Sequence, residues 1–92
     1  MNRSELVEAV ATATDLSQAE AGRAIAAVLE TIAASLARGE NVTLAGFGSF
    51  ERRERAARTG RNPQTGASID IPATMAPAFK AATALRRRVA DA

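Results

Sequence analysis

The run ERRER, Glu51 to Arg55, has the alternation of a strand but no apolar residue on either face: Arg53 and Arg55 share one side, Arg52 and Glu54 the other. A strand that is polar on both faces covers no core. It should extend beyond the body and pair with a returning segment, for which Ser68, Ile69, Asp70 and Ile71 are the candidates. Between them lies GRNPQTG, Gly60 to Gly66, whose two glycines and Pro63 cannot continue a regular ladder. These constraints are met together by an extended hairpin, an arm loaded with arginine.

The rest of the chain supplies a body. Asn2 followed by Glu5, and Ser17 followed by Glu20, have capping-box spacing and predict two helix starts. Leu6, Val7, Val10 and Ala11 have helical spacing in the first; Ala21, Ile25, Val28, Leu29, Ile32 and Leu36 form a wide apolar stripe in the second. Gly39 stops that helix, and the link TDLS requires the two helices to fold back on each other. At Asn41 the period changes, and Val42 and Leu44 lead through GFGSF as strand, tight turn, strand. Gly46 and Gly48 can take positive φ, and Phe47 and Phe50 are expected to pack in the core. Pro72 ends the returning strand. A last helix is expected to begin near Pro77, with Phe79, Ala82, Leu85 and Val89 on one face and Lys80 and Arg86 to Arg88 elsewhere around it. The expected fold is α+β: two N-terminal helices, a three-stranded antiparallel sheet with an extended β-ribbon arm, and a short C-terminal helix.

Composition narrows the functions open to such a chain. At 92 residues it is a single small domain with a thin core, since 23 residues are alanine and the only aromatics are three phenylalanines. Dimerisation is the natural remedy. There is no cysteine and no histidine, which removes disulfides, thiolate nucleophiles, the commonest zinc ligands and the usual base near neutral pH. The expectation is no enzyme, no cofactor and no metal. No apolar run reaches the ~18 residues of a membrane span, and the N-terminus is amphipathic, so the chain reads as soluble and intracellular. Charge is polarised: residues 1–49 carry three arginines against six acids, whereas residues 50–92 carry nine basic residues against four acids. Arg52 to Gly66 alone holds five arginines and one acid, the footprint of a polyanion-binding element. For Arg86 to Arg88, a helix-dipole role and a contact role stand level.

The order helix, helix, strand, GFGSF, arginine-rich arm, GRNPQTG, IDIPA, PAFK and final helix resembles the bacterial histone-like HU and integration host factor family along essentially the whole chain. The resemblance implies one domain over 1–92, with a helical dimer base at 1–40, a sheet and DNA-binding arm at 41–76, and a C-terminal helix at 77–92. It also implies an intertwined dimer whose two arms reach into the minor groove of duplex DNA, with Pro63 wedged between base pairs. Arg61, Asn62, Gln64 and Thr65 would flank that wedge, Arg53, Arg55 and Arg58 would meet phosphates or enter a narrowed groove, and Lys80, Arg86 and Arg3 would grip the duplex from the body. Departures from the family's habits are a single lysine, Ala67 and Thr83 where many relatives carry lysine, and Ala26 where some carry an acid facing a basic residue at position 3.

Two DNA-binding readings remain open at this stage. One is a homodimeric architectural protein of the bacterial nucleoid that bends and compacts duplex DNA with little sequence preference. The alternative is a sequence-specific protein like integration host factor, acting at defined sites or as half of a heterodimer with a paralogue. Secondary binding to RNA through charge is also open, although modules that read single strands present aromatics for stacking, and this chain has no Tyr or Trp.

Overall fold

The computed structural model describes residues 1–92. Its elements are α1 (Arg3–Ala13), α2 (Gln18–Ala37), β1 (Val42–Leu44), β2 (Gly48–Arg55), β3 (Arg58–Arg61), β4 (Ser68–Ile71), β5 (Thr74–Ala81) and α3 (Thr83–Ala90). They fall into two compact units, Met1–Ala34 and Ser35–Ala92.

In the first unit both expected capping boxes form. Asn2 Oδ1 accepts from the Glu5 amide at 2.9 Å while the Asn2 amide donates to Glu5 Oε1 at 3.2 Å. Ser17 and Glu20 repeat the exchange at 3.1 and 3.0 Å. Ala21 is fully buried, and Val7 Cγ1 lies 3.8 Å from where a Cβ on Gly22 would stand. The apolar stripe of α2 is only partly covered: Ile25 and Ile32 are half-buried, whereas Val28 is 55% and Leu29 46% exposed. No helix is long and apolar enough to cross a membrane.

The second unit begins with the last turn of α2. Gly39, at φ +88°, sits at the helix stop: the Glu40 amide donates to Ser35 O at 2.9 Å and the Gly39 amide to Leu36 O at 3.1 Å. The sheet that follows is antiparallel in the order β1-β2-β5. Val42 lies opposite Phe50, and Phe50 opposite Phe79, so one face carries the phenylalanines. The ring of Phe79 stands 4.9 Å from that of Phe50 and 5.6 Å from that of Phe47. Sequence pattern assigns Phe47 to the core; within one chain it is 48% exposed, and Phe79 is 45% exposed.

Three expectations need correction. The last helix begins at Thr83 and not near Pro77, because Thr74–Ala81 is strand β5. Pro77 is tolerated there because β5 is an edge strand, and Phe79 gains more from pairing with Phe50 than from a helix face. Second, Arg52 to Arg55 do not pair with Ser68–Ile71 but with Thr74–Pro77, so the ribbon begins only at Arg58. Arg52 can lie on the phenylalanine face because its guanidinium is satisfied internally. Nη1 donates to Ala37 O at 2.9 Å and to Leu36 O at 3.5 Å, at the negative end of α2. Third, Gly60 and Arg61 do continue the ladder, opposite Ile69 and Ser68, because a glycine leaves room for the Ile71 side chain beside it, so only Asn62 to Ala67 lie outside it. Of the two glycines in GFGSF only Gly46 takes positive φ, +77°. Gly48 is required by close approach instead: a Cβ there would stand 2.5 Å from Phe79 Cζ and 2.6 Å from Lys80 O.

Candidate nucleic-acid interface

The second face of the sheet is polar. Along β2 it carries Ser49, Glu51, Arg53 and Arg55, which lie opposite Lys80, Ala78, Ala76 and Thr74 of β5. Arg53 closes on Glu51 Oε2 through Nη2 at 2.7 Å and Nε at 3.0 Å, so its charge is partly spent within the strand. Arg55 and Lys80 have no acidic partner and remain exposed. Thr43 and Ser49 add to this face, with their hydroxyl oxygens 3.2 Å apart and Lys80 directly across from Ser49. Sequence reading passes over both, although the parity of VTL and GSF already puts them opposite the apolar residues.

Beyond Arg55 the ladder stops and resumes. Ala56 and Ala57 on one side, and Pro72 and Ala73 on the other, are unpaired; then β3 and β4 pair with Arg58 opposite Ile71 and Arg61 opposite Ser68. The residue numbers of opposed partners keep the same sum on both sides of the gap, so the ribbon extends the β2–β5 ladder in register. Pro72 has no N–H to contribute, which accounts for part of the gap. A groove of about 480 Å³ opens there, lined by Ala57, Arg58, Thr59, Asp70, Ile71 and Pro72. Within the ribbon, Arg58 shares a face with Ile69 and Ile71, while Arg61 shares the other with Thr59, Ser68 and Asp70.

The ribbon tip is built by its own polar groups. The Asn62 amide donates to Ala67 O at 2.9 Å and the Gly66 amide to Asn62 O at 2.8 Å. Asn62 Oδ1 accepts from the Gln64 amide at 2.9 Å, an Asx turn around Pro63. Arg61 Nη1 donates to Gly66 O at 3.1 Å, and Thr65 Oγ1 accepts from the Ala67 amide at 3.3 Å. Gly66, at φ +71°, takes the left-handed conformation this closure needs. Pro63 and Gln64 are left exposed at the end.

The expected site residues thus divide by position. Arg53, Arg55 and Lys80 share one face of the sheet; Arg58, Arg61, Asn62, Pro63, Gln64 and Thr65 belong to the ribbon and its tip. Arg86 lies exposed on α3 in the same unit, whereas Arg3 is exposed at the start of α1 in the other unit.

A one-faced sheet continued into a free, arginine-bearing ribbon with proline at its end defines a class of proteins that present a basic β-arm to a partner. The chain belongs to the family described as bacterial DNA-binding protein, whose model matches residues 1–90. Among its relatives, the DNA-binding protein HU of Staphylococcus aureus is 61% identical over 97% of this chain and 99% of its own. DNA-binding protein HU-beta of Pseudomonas aeruginosa is 53% identical over the same shares. An Anabaena HU solved in a cocrystal with DNA superposes over 100% of both chains with a TM-score of 0.94 and 49% identity. HU from Thermotoga maritima matches 97% of this chain and 98% of its own with a TM-score of 0.68 and 30% identity.

Proposed function

We propose that this chain is an architectural DNA-binding protein of the HU kind, which binds duplex DNA with little sequence preference through β-ribbon arms in the minor groove, bending and compacting it. The observation that carries this reading is the ribbon: it continues the sheet, covers no core, bears Arg58 and Arg61, and ends on an exposed Pro63 held by loop hydrogen bonds. Proline presents a rigid apolar face with no N–H to leave unpaired between bases, so it can unstack a step and let the duplex bend toward the protein. Arg53, Arg55, Arg58, Lys80, Arg86 and Arg3 supply the phosphate contacts. The work is mechanical and not catalytic, and its place is the bacterial nucleoid.

The working unit is a dimer. A folded monomer of this mass, 9.6 kDa, exposes about 5,100 Å² by the usual scaling, whereas this chain exposes 7237 Å². The ribbon accounts for part of that excess. The rest includes the half-exposed Val28, Leu29, Phe47 and Phe79, apolar surface that a second copy would cover. Two copies also supply two arms and two wedges, and hence a bend with a defined direction.

The test is binding to linear and nicked duplexes across a salt series. Tighter binding to the nicked duplex, with affinity falling steeply as salt rises, is expected. Equal affinity for the two, or affinity indifferent to salt, would remove the architectural reading. Competition against random duplex distinguishes this function from site-specific binding, which would require a preference of several orders of magnitude for one sequence. An RNA competitor in the same assay measures charge-driven binding to RNA.

A further inference from the structure

The loop bonds leave the polar side chains of the tip with unequal hydrogen-bonding capacity. Asn62 Oδ1 is already accepting from the Gln64 amide, which ties that oxygen to the loop and leaves the NH₂ as the free end of the side chain. Thr65 Oγ1 accepts from the Ala67 amide and offers its O–H, and Arg61 is a donor by nature, with one N–H fixed on Gly66 O. Of the four polar side chains beside Pro63, Asn62 and Thr65 have their oxygen engaged by the loop and Arg61 has none, so these three meet a partner chiefly through their N–H and O–H groups. Gln64 is different: it is exposed, its side chain makes no bond within the loop, and its amide retains both a carbonyl oxygen and an NH₂.

The minor groove makes this difference matter. A·T pairs present only acceptors there, adenine N3 and thymine O2, whereas G·C pairs add the guanine 2-amino donor. Donors alone would satisfy A·T and leave a buried guanine amino group without a partner. A glutamine can turn either end of its amide toward the base edge.

Resting on the DNA-binding reading above, we infer that Gln64 is the base-reading residue of the tip, and that its free amide oxygen makes the wedge tolerant of G·C pairs. Pro63 opens the step, Arg61, Asn62 and Thr65 hold the turn and donate, and Gln64 accepts from the guanine 2-amino group when one is present. Weak sequence preference is then a property of one side chain as well as of the groove.

The test uses nicked duplexes identical except at the pairs flanking each nick, which are G·C in one and inosine·C in the other. Inosine lacks the 2-amino group and with it one hydrogen bond to cytosine, which eases unstacking for every variant alike, so the change in the affinity ratio from parent to variant isolates the donor from which Gln64 is inferred to accept. The protein with Gln64 sets the reference ratio of the two affinities. Gln64→Met, similar in size and uncharged, should shift that ratio toward inosine·C by roughly tenfold, the scale of one unsatisfied buried donor. Gln64→Glu, which keeps the acceptor and loses the donor, should bind both more weakly but favour G·C. Opposite shifts in the two variants support the inference, since a merely structural role for position 64 would move both duplexes together. If both variants discriminate no more than the parent, Gln64 does not read the base, and the architectural function stands without it. If the parent protein binds neither duplex, the DNA-binding reading itself falls and this inference with it.

Discussion

Gly48→Ala should be the most damaging single methyl group that can be added to the sheet. The new Cβ would lie 2.5 Å from Phe79 Cζ, 2.6 Å from Phe79 Cε1 and 2.6 Å from Lys80 O. The ring could swing aside, but it would leave Phe50 at 4.9 Å and Phe47 at 5.6 Å, and each aromatic pair is worth about 1 kcal/mol. The Lys80 carbonyl is backbone in the ladder opposite Ser49 and cannot move without shifting β5. Overpacking of this kind costs about 1–3 kcal/mol, and with one aromatic pair broken the sum is about 3 kcal/mol. For a domain of this size that corresponds to a fall in Tm of roughly 10–20 °C, measured by circular dichroism at one fixed chain concentration because a dimer's Tm depends on it. Gly46→Ala is the control: nothing lies within 4 Å of its Cβ, so only the strain of φ +77° remains, about 1 kcal/mol. A Gly48→Ala protein melting within about 4 °C of the parent would refute the close-approach account of that glycine.

Other outcomes follow from the same geometry. Pro63→Ala should reduce the bend angle, read by fluorescence energy transfer between duplex ends, and the preference for nicked DNA; an unchanged bend would eliminate the wedge. Arg55→Ala should weaken binding to all duplexes alike and lower the slope of log K against log salt by about 0.9 for each phosphate no longer neutralised. Arg52→Ala should instead cost about 1–2 kcal/mol of stability, since its guanidinium is bonded to the carbonyls ending α2, and leave the salt slope as it was. Glu20 has its pKa held below the ordinary glutamate value, first by the hydrogen bond from the Ser17 amide and then by that from the Ser17 hydroxyl. A lowered folded pKa means the cap is fully present above the unfolded value and is lost as pH falls through the folded one. The Ser17 and Glu20 amide resonances should therefore stay constant above the ordinary range and move only in acid below it, and Glu20→Gln should abolish that titration.

How much of this was legible in the sequence depends on whether a residue's role is local. Asn2 with Glu5, and Ser17 with Glu20, cap their helices through bonds that span three residues, so spacing alone identifies them. The hairpin tip was legible for the same reason, because Pro63 admits no ladder, although Gly60 does continue one, opposite Ile69. Arg52 was not. Its partners, Leu36 O and Ala37 O, lie 16 and 15 residues away, and nothing in ERRER separates an arginine that ends a helix from one left free for a polyanion. Counting it with the arm places the start of the ribbon too early.

The misplaced start of α3 has a related cause. Phe79, Ala82, Leu85 and Val89 do recur at helical spacing, but the partner that decides the state of Phe79 is Phe50, 29 residues earlier. A cross-strand aromatic contact overrides a period of four residues, and Pro77, which reads as a helix start, is equally at home on the edge of a sheet. Gly48 shows the same dependence on distant sequence: positive φ can be guessed from a local turn, whereas a missing Cβ made necessary by Phe79 and Lys80 becomes visible only when β2 and β5 are paired. At the tip, pattern names Arg61, Asn62, Gln64 and Thr65 as one group, but hydrogen bonds within the loop separate three side chains engaged by the turn from one amide with both ends free. That separation turns a group of polar residues into a statement about which base edge each can meet.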